Sequence, residues 1–518
     1  MINNIVFPQN INTYLGNKGY TVLKSDLSVT QQLAIKKALM VKPFMPGAPV
    51  QIQNSFPAYR ESDKKFYLPR YFGEEIFGPP KSIKINEGDN INLNFNSQLR
   101  DYQVPVAEKY LEHVKDGGSG LLELYCAFGK TALGLYFMCR LKKKTLVIVH
   151  KEFLMNQWIE RLNDFVPGAR IGKIQGQVID IDDKDIVLCM LQSLSMKDYP
   201  STLFDSFGFT IVDEVHHISS EVFSQALFKL VTKYMLGLSA TMDRPDGTTK
   251  VFKMFLGPVV VKAVREGVEN VTVRAITFQT NDEEFNNIEL DFRGKTVASK
   301  MLGKISTYNR RTQFIVSVIK DMILENNKQQ IMIIASYKNI LAYIHEAIKH
   351  NNICSVGYYV GGMKESELKE SEKKQCVLAT YSMAAEGLDI KTLSTIIMTT
   401  PMTRIEQPTG RILREKHDFG ATIVDIIDTH DNFQRQWLKR KAFYKKQNYK
   451  IIHTNSLNYT PDVRKWKTIF EPIKKDKSNC GDDDDVSDDD VSDDSDISDT
   501  TDTKSKKQIG VCLLKMKK

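Results

Sequence analysis

The 518-residue sequence is poor in cysteine, and nothing organises the few it has. Its seven cysteines are scattered, odd in number and never spaced CxxC. That argues against a disulfide framework or a zinc ribbon, and for a reducing compartment. No run of about 18 apolar residues occurs, so no membrane span is predicted. The start, MINNIVFPQNINTYLG, lacks a basic stretch followed by an apolar one and does not read as a secretory signal. Basic residues are missing altogether from 481–502, which holds twelve aspartates and no aromatic residue. Such a segment is expected to be disordered. Within it Ser487 and Ser492 precede acids, as an acid-directed kinase would require.

The acidic segment hides a basic body. Net charge is +8, but without those twelve aspartates the acids fall from 63 to 51 against 71 Lys+Arg, giving +20. A strongly basic body predicts a polyanionic partner, with nucleic acid the first choice. The length allows two to four domains.

Residues 1–95 show no alternation of strands and helices, and VTQQLAIKKALMVK (29–42) reads as a short amphipathic helix. FPAYRESDKKFYLPRYFG (56–73) interleaves aromatics with Arg60, Lys64, Lys65 and Arg70. That pattern suits base stacking and phosphate pairing, but a small β module whose aromatics form its own core is the better reading of the aromatics, less so of the cations. From about 96 the pattern changes. LLELY (121–125), KTLVIVH (144–150), DIVLCML (185–191), FTIVDE (209–214) and MLGLSAT (235–241) read as buried strands separated by helices. QIMIIAS (330–336), QCVLATY (375–381), LSTIIMTTP (393–401) and ATIVDII (421–427) repeat the arrangement. The expected fold is α/β: two tandem parallel-sheet domains, a small N-terminal α+β domain and a disordered acidic tail. The expected boundaries are 1–95, 96–275, a linker at 276–304, 305–455, and a tail from 456.

AFGKT (127–131) follows a strand and opens a helix, where a phosphate loop belongs. Backbone N–H groups of Ala127, Phe128, Gly129 and the helix start through Ala132 would hold phosphates. Lys130 would reach the β and γ phosphates and Thr131 would ligate magnesium. The pattern departs from GxxxxGK[ST]: Leu124 stands at the first glycine, and Ala127 takes a place that is often glycine. The strand ending in Asp213-Glu214 is the partner such a lysine needs. Asp213 would hold the magnesium through water, and Glu214 would activate the attacking water. The neighbouring His216 and His217 invite a zinc reading, but no third ligand at suitable spacing and no nearby cysteine supports it. SAT (239–241) ends the next strand, and EGLDI (386–390) and QPTGRILR (407–414) follow in the second unit. Arg411 and Arg414, at i and i+3, could reach across a cleft as arginine fingers, although an RxxR pair alone is usually a solvated face.

In this order the motifs GKT, DEVHH, SAT and QPTGRILR resemble those of superfamily-two helicases of the DExH type, over residues 97–450. LRDYQ (99–103), YCAFGKT, NQW (156–158), GLSATMDRPDG (237–247) and YNRRTQFI (308–315) are most similar to the XPB-like branch and to the helicases of large DNA viruses, the poxvirus transcript-release helicase among them. The resemblance implies two RecA-like domains with ATP and Mg2+ between them and nucleic acid across both. It places Arg100 and Gln103 near the adenine, with Gly129, Lys130, Thr131, Asp213 and Glu214 around ATP and magnesium. Ser239 and Thr241, with His216, would couple nucleotide state to domain closure. Gly387 and Asp389 would sense nucleotide and strand, and Gln407, Arg411 and Arg414 would complete the site. Thr380, His150, Lys151, Gln192 and Ser193 would contact the nucleic-acid strand.

The implied activity is an ATP-driven DNA helicase or translocase in viral transcription, releasing transcripts or opening template. An RNA helicase with the same core and a non-catalytic nucleic-acid scaffold are the alternatives. A restriction-type motor subunit would need a nuclease constellation, for which the sequence offers no candidate. The basic, aromatic stretch FQRQWLKRKAFYKKQNYK (433–450) either lines the strand channel or packs on the second domain. The implied setting is a monomer, working with transcription machinery and no membrane, in the host cytoplasm or viral factory. Packaging in the virion is left open.

Overall fold

The structure is a computed structural model. It describes residues 5–44, 55–200, 202–217, 220–242, 244, 246–263, 270–386, 390, 392–413 and 420–473, with backbone alone at 217, 220, 386, 411 and 413. The acidic segment and its serines lie outside the described residues.

Two eight-stranded sheets organise the described chain. Across the first, the strands run Val178–Asp180, Ile171–Gln175, Ile186–Met190, Thr145–Val149, Phe209–Val212, Tyr234–Ser239, Gly118–Leu124 and Val259–Ala263. Across the second they run Val356–Tyr359, Cys376–Thr380, Gln330–Ala335, Leu393–Met398, Ala421–Asp428, Val271–Phe278, Lys450–Asn455 and Lys467–Phe470. All pairings are parallel except one edge pair in each sheet. The central strands Thr145–Val149, Phe209–Val212, Gln330–Ala335 and Leu393–Met398 are buried along their whole length. Helices cover both faces, which explains why these strands read as unbroken apolar runs rather than alternating ones.

The N-terminal residues form a five-stranded sheet with two helices, Val29–Ala38 and Arg70–Phe77. Ser28 caps the first of these with a full capping box closed by Gln31. The aromatics of 56–73 serve the module's own core: Phe56, Phe66 and Phe72 are buried among Tyr20, Leu68 and Phe77. Its cations are largely spent inside the protein. Arg60 lies over the Phe228 ring and donates to Gln225 O, Lys65 donates to the Tyr14 hydroxyl, and Arg70 pairs with Glu74. The module docks on the first sheet through one continuous core. There the Tyr71 hydroxyl donates to Ser119 O at 2.8 Å.

Three stretches differ from expectation. The boundary at 275/276 falls inside the strand Val271–Phe278, which belongs to the second sheet. Its sequence VTVRAITF is interrupted by Arg274, which reaches Glu325 with both terminal nitrogens, so it does not look like a buried parallel strand. The expected linker is built structure, with helices Glu283–Asn286 and Ala298–Thr307 around a small core of Phe278, Phe285, Met301, Ile305 and Phe433. The folded chain also continues past 456. The strand Lys467–Phe470 pairs with Lys450–Asn455, and Trp466 is buried. In 433–450 the packing reading holds for Phe433, Trp437 and Tyr444, which are buried on the second sheet's side of helix Asp431–Lys446.

Candidate active site between the two sheets

In a parallel sheet all C-terminal strand ends share one edge, and ligands bind outside it. Gly118–Leu124, Phe209–Val212 and Tyr234–Ser239 deliver the phosphate-loop candidate, the acidic pair and Ser239 to that edge.

After Leu124 the chain turns through Ala127, which has a left-handed φ of 68°, and Gly129, with φ 93° and ψ 39°, into helix Lys130–Leu141. Gly129 is required twice over: by its φ, and because a side-chain carbon there would lie 2.4 Å from Gln103 Nε2. Gln103 is buried and braces the turn. Its Nε2 donates to Phe128 O at 2.7 Å, and its Oε1 accepts from Arg100 N at 2.9 Å. The Arg100 side chain points out and donates to the Tyr102 hydroxyl. Thr131 and Ala132 sit, half-buried, in the helix's first turn.

Lys130 Nζ stands 3.4 Å from Glu214 Oε1, with both side chains mostly buried. Asp213 is held from two sides: Oδ2 accepts the Trp158 indole N–H at 2.8 Å, and Oδ1 accepts Glu214 N at 2.9 Å. Burial, and then the neighbouring Glu214 charge, push the Asp213 carboxyl up to about 6 despite these bonds and Lys130. Glu214 itself adopts a left-handed φ of 48°, a costly conformation of the kind that clusters at functional sites.

His216 joins the two halves. Its Nδ1 lies 2.7 Å from Ser239 Oγ and 3.4 Å from Glu214 Oε2, and its Nε2 lies 2.7 Å from Gln407 Nε2. The Ser239 hydroxyl gives its single proton to Thr241 O and therefore accepts from His216 Nδ1–H. That leaves Nε2 to accept from the Gln407 amide. The ring thus links Ser239 to Gln407 of the second half by hydrogen bonds, with Glu214 Oε2 close by Nδ1. Beside Gln407 the second half closes on the phosphate turn, since a side-chain carbon at Gly410 would lie 2.9 Å from Cys126 Cβ. A cleft of about 640 Å³ opens next to these contacts, walled by Tyr125, Thr241 and Lys262 on one side and Met402, Arg404 and Phe443 on the other. Away from it the halves touch again through Lys369–Glu160 at 2.7 Å and Asn156–Glu365 at 2.9 Å.

Of the remaining candidates, Arg414, Gly387 and Asp389 lie outside the described residues. Arg411 lies in the turn Gly410–Leu413, its side chain likewise outside. His150 and Lys151 follow the strand end at Val149, and Gln192 Nε2 donates to His150 O. Ser193 is buried, its hydroxyl accepting from Gly176 N at 2.9 Å. Thr380 ends its strand with Oγ1 3.3 Å from Ser382 Oγ.

Two residues of the site carried no assigned role in the sequence. Trp158 orients Asp213 from 55 positions away, its only signal being the NQW motif. Arg244 donates to His216 O at 2.6 Å and pairs with Asp246, so the segment after SAT is tied to the acidic strand end. Burial works against the Asp246 charge, but hydrogen bonds from Arg244 and Thr248 hold its carboxyl at about 2.

Comparison with known proteins gives the family. Residues 96–244 match the family "Type III restriction enzyme, res subunit", and residues 315–416 match "Helicase conserved C-terminal domain". A protein of Acanthamoeba polyphaga mimivirus described as an ATP-dependent RNA helicase, L396, is 33% identical over 85% of this chain and 87% of its own length. QP509L of African swine fever virus, described in the same words, is 26% identical over 73% of this chain and 78% of its own. The helicase 161L of Invertebrate iridescent virus 6 is 25% identical over 71% and 86%. Among solved structures, T4 UvsW aligns over 86% of this chain and 99% of its own at 18% identity, with a TM-score of 0.36, too low to carry an argument. The chain belongs to the superfamily-two ATP-dependent helicases, among the relatives found in large DNA viruses.

Proposed function

We propose that the cleft edge holds ATP for hydrolysis and that turnover drives the protein along nucleic acid, with DNA in viral transcription as the substrate. Lys130 and the backbone of Ala127–Ala132 would bind the phosphates, and Glu214 would orient and activate water. Arg411 and Arg414 would meet the γ-phosphate from the second domain. The donor set at Asp213 and Thr131 fits Mg2+: two adjacent buried carboxylates, one pushed up to about 6 by burial and by the charge of the other, are relieved by a cation. When bound, Mg2+ neutralises charge developing on the transferred phosphate. The observation that carries the reading is the His216 bridge, because it joins the acidic pair to Gln407 of the second half. A change at Glu214 on hydrolysis would then be felt beside one of the contacts between the halves. His150, Lys151, Gln192, Ser193 and Thr380 would line the strand path, and phosphate gripping of that kind is sequence-tolerant.

RNA is the second reading, favoured by the description of the mimivirus relative as an RNA helicase. ATP turnover by the full chain, with no nucleic acid, single-stranded DNA, duplex DNA or RNA, separates the two. Stimulation by DNA and not RNA supports the DNA motor, and stimulation by RNA alone moves the assignment to an RNA helicase. Absence of turnover with every one would leave a scaffold. Lys130→Ala is the control, and unchanged turnover in it would sink the phosphate-loop assignment.

A further inference from the structure

The segment between the two sheets' main bodies carries a feature that ATP chemistry does not use. It leaves the second sheet at Phe278, the C-terminal end of its strand, and the parallel neighbour Ala421–Asp428 ends level with it. Cys376–Thr380 ends at the same edge, in the same parallel sheet. The segment therefore hangs from the ligand-binding edge. Tyr308 donates to Asp282 at 2.7 Å and Lys304 pairs with Glu289 at 3.0 Å, fixing helices Glu283–Asn286 and Ala298–Thr307 against each other.

Between those helices residues 289–297 form a tight hairpin. Asp291 N donates to Lys295 O and Val297 N to Glu289 O, both at 2.8 Å. The Asp291 carboxylate accepts from Arg293 N and Lys295 N, and Gly294 supplies the left-handed φ of 73° that the turn needs. At the apex Phe292 is 90% exposed, and Leu290 and Ile288, two and four positions back along the chain, are 52% and 47% exposed. A single exposed aromatic is ordinary, but an apolar ridge on a braced turn is the mark of a contact surface. Its charge says what it meets. Both acids of the hairpin are occupied, Asp291 by the turn and Glu289 by Lys304, while Arg293 and Lys295 are exposed at the tip. The Arg293 guanidinium sits 4.9 Å from the Phe292 ring centre.

We propose that this hairpin contacts nucleic acid, with Phe292 stacking on an unpaired base and Arg293 and Lys295 on the flanking phosphates. The inference rests on the helicase reading above and adds to it the element that touches bases rather than backbone. Stacking of this kind is sequence-tolerant, and its loss weakens binding on the order of tenfold per base.

The test uses the full chain and an oligopyrimidine, as DNA and as RNA, at one fixed salt concentration. Phe292→Trp should fold as wild type, its side chain being exposed, and its added fluorescence should be quenched by the oligonucleotide. Phe292→Ala should bind the same oligonucleotide on the order of tenfold more weakly. Fluorescence unmoved at saturation, or equal affinity of Phe292→Ala and wild type, overturns the proposal. Wild-type ATP turnover in the same samples separates the two readings. If it is stimulated while the hairpin variants show nothing, the hairpin alone is wrong; if it is never stimulated, the helicase reading falls and the hairpin with it.

Discussion

The two halves of the molecule use buried charge in opposite ways. In the second half Arg311 grips Asp428 with two nitrogens at 2.6 and 2.8 Å, and Arg440 grips Asp425 at 2.7 and 2.9 Å, all four side chains being inaccessible. The Tyr444 hydroxyl and Met402 O complete the second pair. In the first half Lys130 Nζ stands 3.4 Å from Glu214 Oε1, and Asp213 beside it is held at a raised pKa. A bidentate pair whose remaining atoms are bonded, as at Arg440–Asp425, can offset the cost of burying charge. The Lys130–Glu214 contact is longer, and it sits beside a second carboxylate whose ionised form is disfavoured by burial and by the Glu214 charge. The second half pairs its buried charges bidentately, and the cleft sets two buried carboxylates side by side.

The comparison can be broken by experiment, and the second half offers the largest effect. Removing one partner of a saturated pair strands the other, so Asp425→Ala should destabilise by about 3–5 kcal/mol in denaturant unfolding. A loss under 1 kcal/mol would mean that the pair is not holding the second sheet. Gln407→Ala should fold normally but reduce ATP turnover on the order of tenfold, about 1.4 kcal/mol. Full activity would remove His216–Gln407 as the link between halves. Asp246 allows a pH test. Its carboxyl is held low in the folded protein, so its contribution is fully present above the ordinary aspartate pKa of about 4 and lost as pH falls toward 2. Asp246→Asn should therefore narrow its stability gap to wild type across that acid window, as followed by thermal melting; a constant gap would contradict the pairing. The smallest effect belongs to Ala127. Its left-handed φ costs about 1 kcal/mol that glycine would not incur, so Ala127→Gly should raise stability by up to that amount. A fall in melting temperature would show that the turn is not strained.

What the sequence made legible follows from the same physics. Strands buried on both faces announce themselves as apolar runs, and the expected KTLVIVH and QIMIIAS correspond to Thr145–Val149 and Gln330–Ala335. Strands toward the sheet edges did not: Ile171–Gln175 alternates with Lys173 exposed, and Val271–Phe278 contains Arg274. AFGKT and DEVHH were visible because a phosphate loop and an acidic strand end are local patterns. Their supports were not, since Trp158 to Asp213 spans 55 positions and His216 to Gln407 spans 191. The aromatics of 56–73 and 433–450 showed the limit most clearly. Composition offered both bases and the fold's own core as their partners, and the fold gives most of them to its own core.

The central claim is that Glu214 activates water for ATP hydrolysis at the cleft, and Glu214→Gln tests it most directly. The substitution keeps the size of the side chain and removes its basicity. With ATP affinity measured by equilibrium binding and hydrolysis in a single turnover, the expected result is near-normal affinity with hydrolysis reduced by on the order of a hundredfold or more. Hydrolysis at the wild-type rate, or loss of ATP binding by a folded protein, would contradict the account.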